Sequence, residues 1–95
     1  METTVSQEQA KEQVNAHITA QVRAFITSNF YVADPAKLAD DASLLDNGII
    51  DSTGVLEVIG FIEDNFSITV EDQEMLPDNL DSIERIASFI VRKQG

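Results

Sequence analysis

Apolar residues recur three and four positions apart in three separate stretches of this chain. Val14, Ile18, Val22, Phe25 and Ile26 make the first stripe. Val55, Val58, Ile59, Ile62 and Phe66 make the second, and Ile83, Ile86, Ala87, Ile90 and Val91 the third. That spacing follows one face of an α-helix, whereas a strand repeats every second residue. The one alternating run, "FSITV", has no partner strand to satisfy its backbone groups. It is therefore expected to be an extended link, with Phe66, Ile68 and Val70 turned inward. The expected fold is all-α: a small bundle of three main helices plus one short helix, with a long loop between the first two main helices.

Local signals set the boundaries. Ser6 followed by Gln9 reads as a capping box for the first helix, which runs to about Asn29. Residues before about Gln9 are expected to fray, because little apolar surface holds them. Asp34-Pro35 marks a turn or one short helical turn with Pro at its first position. The connection through "KLADDASLLDNGII" is long for a compact domain, a length more usual in functional loops. Leu38, Leu44, Leu45 and Ile49 or Ile50 are expected to fasten it to the core. The second helix is expected from about Ser52 to Asn65, a short one from about Glu71 to Leu76, ended by Pro77. Asp81 with Glu84 is expected to cap the last helix, which Arg92 and Lys93 close with the charge that suits a helix C-terminus. With 95 residues, positions 1–95 form a single domain with its core at about 9–93.

Charge narrows the functional classes. Six basic and 17 acidic residues give a net charge of −11, and the stretch from Leu38 to Glu84 contains no base at all. Such a surface repels phosphates, so nucleic acid is excluded as a partner, and it steers toward basic proteins. There is no apolar run long enough for membrane insertion, and "METTVSQEQAKEQ" is too polar for a signal peptide, so a cytoplasmic monomer is expected. Zero cysteines exclude disulfides and thiolate metal sites.

Catalytic chemistry finds little to stand on. Asp46 and Glu57 have the separation of the outer ligands of a calcium loop, but Asp51 stands where that loop needs glycine, and no metal site is expected. His17, the single histidine, lies one position off the first stripe, with no serine or carboxylate partner identifiable around it, and reads as a boundary residue. The four glycines form no phosphate-cradling pattern. Tyr31 and the five phenylalanines fall mostly on core stripes. The chain is not expected to be an enzyme.

One serine stands out against this background. In "DNGIIDSTGVLEVIGFIEDNF", Ser52 follows Asp51 at the start of the second helix, where either residue could be an ordinary N-cap. In the wider context of "LLDNGIIDS", the acidic amphipathic helix and then "FSITVEDQEMLPDNLDSIERIASFI", the chain resembles the acyl carrier protein family from about Leu38 to Val91. The family's motif of Gly, two apolar residues and Asp-Ser corresponds to Gly48, Ile49, Ile50, Asp51 and Ser52. The resemblance implies that Ser52 carries a covalent 4′-phosphopantetheine arm, whose thiol holds acyl groups as thioesters. It implies that Asp51 supports arm transfer, helping to hold the transferase's magnesium ion. Implied partners are a phosphopantetheinyl transferase, an acyl- or aminoacyl-activating ligase, and downstream transferases or synthases. Fatty acid biosynthesis and lipid metabolism are the family's expected setting. A phosphodiester anion suits a helix N-terminus, which offers free N–H groups and positive potential. The lack of cysteine leaves a delivered thiol without competitors.

Thr53, Glu57, Gly60, Glu63 and Asp64 are the candidate partner-contact residues. The family usually has an apolar residue directly after the modified serine and a large apolar one two turns on. Thr53 and Gly60 occupy those positions here, which points to a specialised stand-alone carrier. A second pair, Asp81-Ser82, lacks the preceding Gly and apolar residues and reads as an N-cap only. The alternatives are an aminoacyl or peptidyl carrier of the same fold, and an acidic helical adaptor whose Ser52 bears nothing.

Overall fold

The computed structural model describes the backbone of residues 7–94 and side chains from Ala16 onward. The expected Ser6 capping box and residues 1–6 of the fraying segment lie outside the described residues. Gln7 and Glu8, expected to fray, belong to the first helix. Four α-helices follow one another: α1 (Gln7–Asn29), α2 (Ser52–Phe66), α3 (Pro77–Leu80) and α4 (Ile83–Gln94). Single 3-10 turns occur at Pro35–Lys37 and Asp72–Glu74, and no strand is present among the described residues. The all-α bundle expected from the three stripes is the fold observed.

The stripes supply the core. Ile18, Val22 and Ile26 of α1 face Ile83, Ile86 and Ile90 of α4, and Val58, Ile59 and Ile62 of α2 close the third side; all are buried. Phe89, off the expected stripe, is also buried, while Val55, Phe66 and Val91 are only half-buried at its edge. A chain of rings joins α1 to α2. Phe25 and Phe61 stack at 4.3 Å between centroids, and Phe30 and Phe66 meet them edge-on at 5.9 and 5.8 Å. Offset stacks and edge-to-face pairs are the arrangements that ring quadrupoles favour. Tyr31 does not join them: it is 84% exposed, a correction to its expected core role. It follows α1 between Phe30 and Val32, which both pack against the core while its own ring points outward.

The extended link is observed as expected, with Val70 buried and Ile68 half-buried. Ser67 leaves α2 in the left-handed conformation, and Glu63 reaches forward to accept the Val70 N–H at 2.9 Å. Beyond it the expected helix at Glu71–Leu76 is replaced by the 3-10 turn Asp72–Glu74, and a short α-helix begins at Pro77. Proline is a poor helix interior but a good first residue, because its missing N–H has no intrahelical acceptor there anyway. The last helix is capped by Ser82, whose hydroxyl accepts the Arg85 N–H at 3.0 Å, and not by Asp81 with Glu84. Glu84 instead donates its backbone N–H to the Asp40 carbonyl at 2.8 Å.

Candidate functional site

The loop between α1 and α2 is held at both ends. Arg23 on α1 donates to the carbonyls of Pro35 (3.3 Å) and Leu38 (2.6 Å) and pairs with Asp40. Farther along, Asp81 is the fastening point. Its carbonyl accepts the Leu44 N–H at 2.8 Å, and its carboxylate accepts the Ser43 hydroxyl at 2.6 Å and the Leu45 N–H at 2.9 Å. Leu44 itself is fully buried, and its carbonyl accepts both the Ile49 and Ile50 N–H groups at 2.9 and 3.3 Å. Leu38, Leu44, Ile49 and Ile50 thus pack inward as expected. Leu45 does not; it is 38% exposed at the rim.

This anchorage shapes the turn before α2. Gly48 has φ +69, a left-handed conformation that a side chain would strain, so glycine here is a backbone requirement. Ile50 then drops into the core, and Asp51 swings out as the N-cap of α2, its Oδ1 accepting the Gly54 N–H at 2.8 Å. The other carboxylate oxygen of Asp51 faces no donor among the described residues. Ser52 becomes the first helical residue and is exposed, as is Thr53. Their backbone N–H groups have no acceptor among the described residues, which is the usual condition of a helix start. An open depression of ≈ 750 Å³ surrounds Ser52, lined on one side by Gly48 and Ile49 and on the other by Thr53 and Glu57.

A second cavity adjoins Ser52 on its other flank. It measures ≈ 310 Å³ and is lined by Leu45, Ser52, Val55, Leu56, Met75, Leu76, Pro77 and Leu80. Apart from Ser52 itself, every lining residue is apolar. Among the described residues, four large hydrophobic side chains are prominently exposed, and three of them, Leu45, Leu56 (62%) and Leu76 (49%), stand around this cavity. Leu56 had no place on the expected buried stripe. A leucine off that stripe, on an otherwise acidic face, was the available signal.

The expected partner face is partly assembled. Thr53, Glu57, Gly60 and Asp64 recur along one side of α2, with Thr53, Glu57 and Asp64 exposed. Glu63 is set apart, half-buried and engaged with Val70. The two helical glycines also part company. A methyl group on Gly60 would meet nothing within 4 Å, whereas one on Gly54 would press against Ile50 and Phe30 at 3.1 Å. Gly54 is therefore a packing residue beneath the site and does not belong to the outer face.

His17 is exposed on α1, and among the described residues no three His, Cys, Asp or Glu side chains gather as metal ligands do. No described helix is long and apolar enough to cross a membrane. No known family model matches the chain, and no curated protein matches it significantly.

Proposed function

We propose that this protein is an acyl carrier in which Ser52 bears a 4′-phosphopantetheine arm. The observation that carries the reading is the position of Ser52: exposed at the start of α2, with an apolar cavity on its flank. An adaptor needing only an N-cap already has one in Asp51, so an exposed serine at the next position has no structural task in the fold.

The residues present fit such a group. A phosphodiester on Ser52 Oγ would lie beside the unpaired Ser52 and Thr53 N–H groups, where helix-terminal potential favours an anion. Asp51 has one oxygen committed to Gly54, which fixes the carboxylate beside Ser52, and one oxygen left for a transferase-bound cation. When bound, the arm supplies a thiol for thioester formation. The chain's own contribution is to hold Ser52 outward, through the Gly48 turn and the Asp81 anchorage, and to offer an apolar shelter nearby.

The cavity favours an aliphatic cargo over an aminoacyl one. At ≈ 310 Å³ it has room for roughly ten water-sized groups. No charged side chain lines it, so a free ammonium group would enter without a partner, an unfavourable burial.

The test is incubation with coenzyme A and a broad-specificity phosphopantetheinyl transferase, followed by intact mass. One arm per chain is expected, lost in Ser52→Ala and retained in Ser82→Ala. Modification that persists in Ser52→Ala, or wild type that stays unmodified with transferases of several types, would leave the adaptor reading in its place.

A further inference from the structure

The turn before α2 borders two depressions at once. Gly48 and Ile49 line the one around Ser52, and they also line a cleft of ≈ 350 Å³ between that turn and the segment following α1. The floor of the cleft is apolar: Val32, Leu38 and Ile49 are half-buried and packed against the core. Tyr31 lines the same cleft with 84% of its surface exposed, the largest value among the prominently exposed hydrophobic residues described. A ring left so far in water adds little to the core. Amphipathic rings of this kind are the anchors on which protein interfaces concentrate their binding energy.

Lys37 shares the cleft, and it is the exception in the charge pattern. Arg23, Arg85, Arg92 and Lys93 are each engaged by groups of the fold. Lys37 is exposed, and its ammonium has neither a hydrogen bond nor an ion pair among the described residues. Its backbone, by contrast, is fixed. The Lys37 N–H donates to the Asp34 carbonyl at 3.0 Å and the Leu38 N–H to the Pro35 carbonyl at 3.3 Å. Arg23 reaches the Pro35 and Leu38 carbonyls from α1, so the turn that carries the free cation is held on both sides. Asp34 in the same cleft continues the acidic surface, and no base occurs from Leu38 to Glu84. Among the described residues, Lys37 is the one point beside the Ser52 turn where the outward charge changes sign.

We propose that Tyr31 and Lys37 form a docking point for the enzyme that works on Ser52, taking an apolar side chain of that partner into the cleft and a carboxylate of the partner against the Lys37 ammonium. The inference rests on the carrier reading of Ser52. Because Gly48 and Ile49 border both depressions, a protein that covers Ser52 reaches the edge of the cleft. Charge then sets its orientation. The acids exposed on α2 call for bases on the partner, whereas Lys37 calls for an acid. A partner turned end for end would set like charges together at both places. The cleft and its cation are already positioned by the backbone bonds of the turn, which lowers the cost of ordering them on binding.

The experiment measures transfer of the arm from coenzyme A to the full, unmodified chain by the broad-specificity transferase, at varied chain concentration and low salt. Wild type is compared with Lys37→Glu, Tyr31→Ala and Tyr31→Phe. Lys37→Glu is expected to raise KM about fivefold with kcat unchanged, because only docking is lost, and added salt should shrink the difference. Tyr31→Ala should raise KM about tenfold, and Tyr31→Phe by less than about twofold. Both side chains are exposed and unpaired, so thermal melts of the variants should match wild type. A partner that reads acidity alone gives the opposite sign: Lys37→Glu makes the chain more acidic and would be modified faster. That result, or unchanged KM in both Lys37→Glu and Tyr31→Ala, would overturn the proposal while leaving Ser52 as the modified residue. Wild type that stays unmodified with transferases of several types removes the carrier reading itself, and this inference with it.

Discussion

Two glycines of α2 allow the packing beneath the site to be measured with a single kind of substitution. In an exposed helix interior, Gly→Ala stabilises by about 1 kcal/mol, because alanine leaves less backbone freedom to lose. Gly60→Ala should show most of that gain, since the added methyl meets nothing within 4 Å. At Gly54 the methyl would stand 3.1 Å from Phe30 Cε1 and 3.1 Å from Ile50 Cβ. The Phe30 ring is half-buried and can swing aside. Ile50 cannot do the same, because a Cβ moves only with its backbone, and Ile50 is 4% exposed with its N–H bonded to Leu44. Overpacking of this sort costs about 1–3 kcal/mol, against a propensity gain below 1 kcal/mol in a first turn. Gly54→Ala should therefore lose about 1 kcal/mol while Gly60→Ala gains about 0.5–1 kcal/mol. For a domain of this size the two melting temperatures should differ by on the order of 10 °C. Urea unfolding of both variants beside wild type supplies the free energies. Equal stabilisation by the two substitutions would show that Gly54 is not tightly packed, and would remove the structural basis for its role beneath Asp51 and Ser52.

Other perturbations read separate parts of the site. Asp81→Ala removes the acceptor for Ser43 and Leu45 and should cost about 2 kcal/mol in urea unfolding, whereas Asp41→Ala, an exposed neighbour in the same loop, should change stability by less than about 0.5 kcal/mol. The Glu71 N–H, and then Lys93, hold the Glu74 carboxyl below the usual glutamate range. A depressed carboxylate contributes stability above its unfolded pKa of about 4.3 and loses it as pH falls through the folded value, so the advantage of wild type over Glu74→Gln should shrink progressively as pH falls below the unfolded value. Asp64→Lys should stabilise the isolated fold by about 0.3–1 kcal/mol while slowing association with the basic transferase surface expected at Ser52, read by thermal melts and by modification rates across a salt series.

The bundle was legible because its three stripes are long and strongly periodic, and each put most of its described residues into the core, Val14 lying outside the described side chains. Ser52 at a helix start was legible for the same local reason. What escaped depended on residues far apart in the chain. Asp81 resembles a cap in sequence, yet its carboxylate is taken by Ser43 and Leu45, more than thirty positions earlier, and Ser82 caps in its place. Pro77 carries one local property, the missing N–H, that either stops a helix or starts one, and only the neighbouring backbone decides which. Gly54 and Gly60 are the same letter six positions apart; what separates them is Ile50 and the ring of Phe30, the residue that follows α1. Leu45, Leu56 and Tyr31 were harder still. Hydrophobicity alone predicts burial; of the three, only Leu56 carried a local mark, its place off the buried stripe on an acidic face.

The placement of charge ties these parts together. The described basic side chains are largely consumed within the fold: Arg23 on Asp40, Lys93 on Glu74, Arg85 near Asp78 and Arg92 on Asn79. None of them pairs with an acid of α2. Glu57 and Asp64 are exposed there with no ion pair among the described residues. Asp64 is moreover at the wrong end of its helix, because the last turn of α2 carries no base and its carbonyl ends already present negative potential. Glu63 has a compensating task in accepting the Val70 N–H, and Asp64 has no such task. Acids that the fold does not neutralise leave a field directed outward along α2, from Glu57 near Ser52 to Asp64 at the far end of the helix. A basic partner docking along α2 would meet that field, with the apolar cavity on the adjoining flank of the same helix.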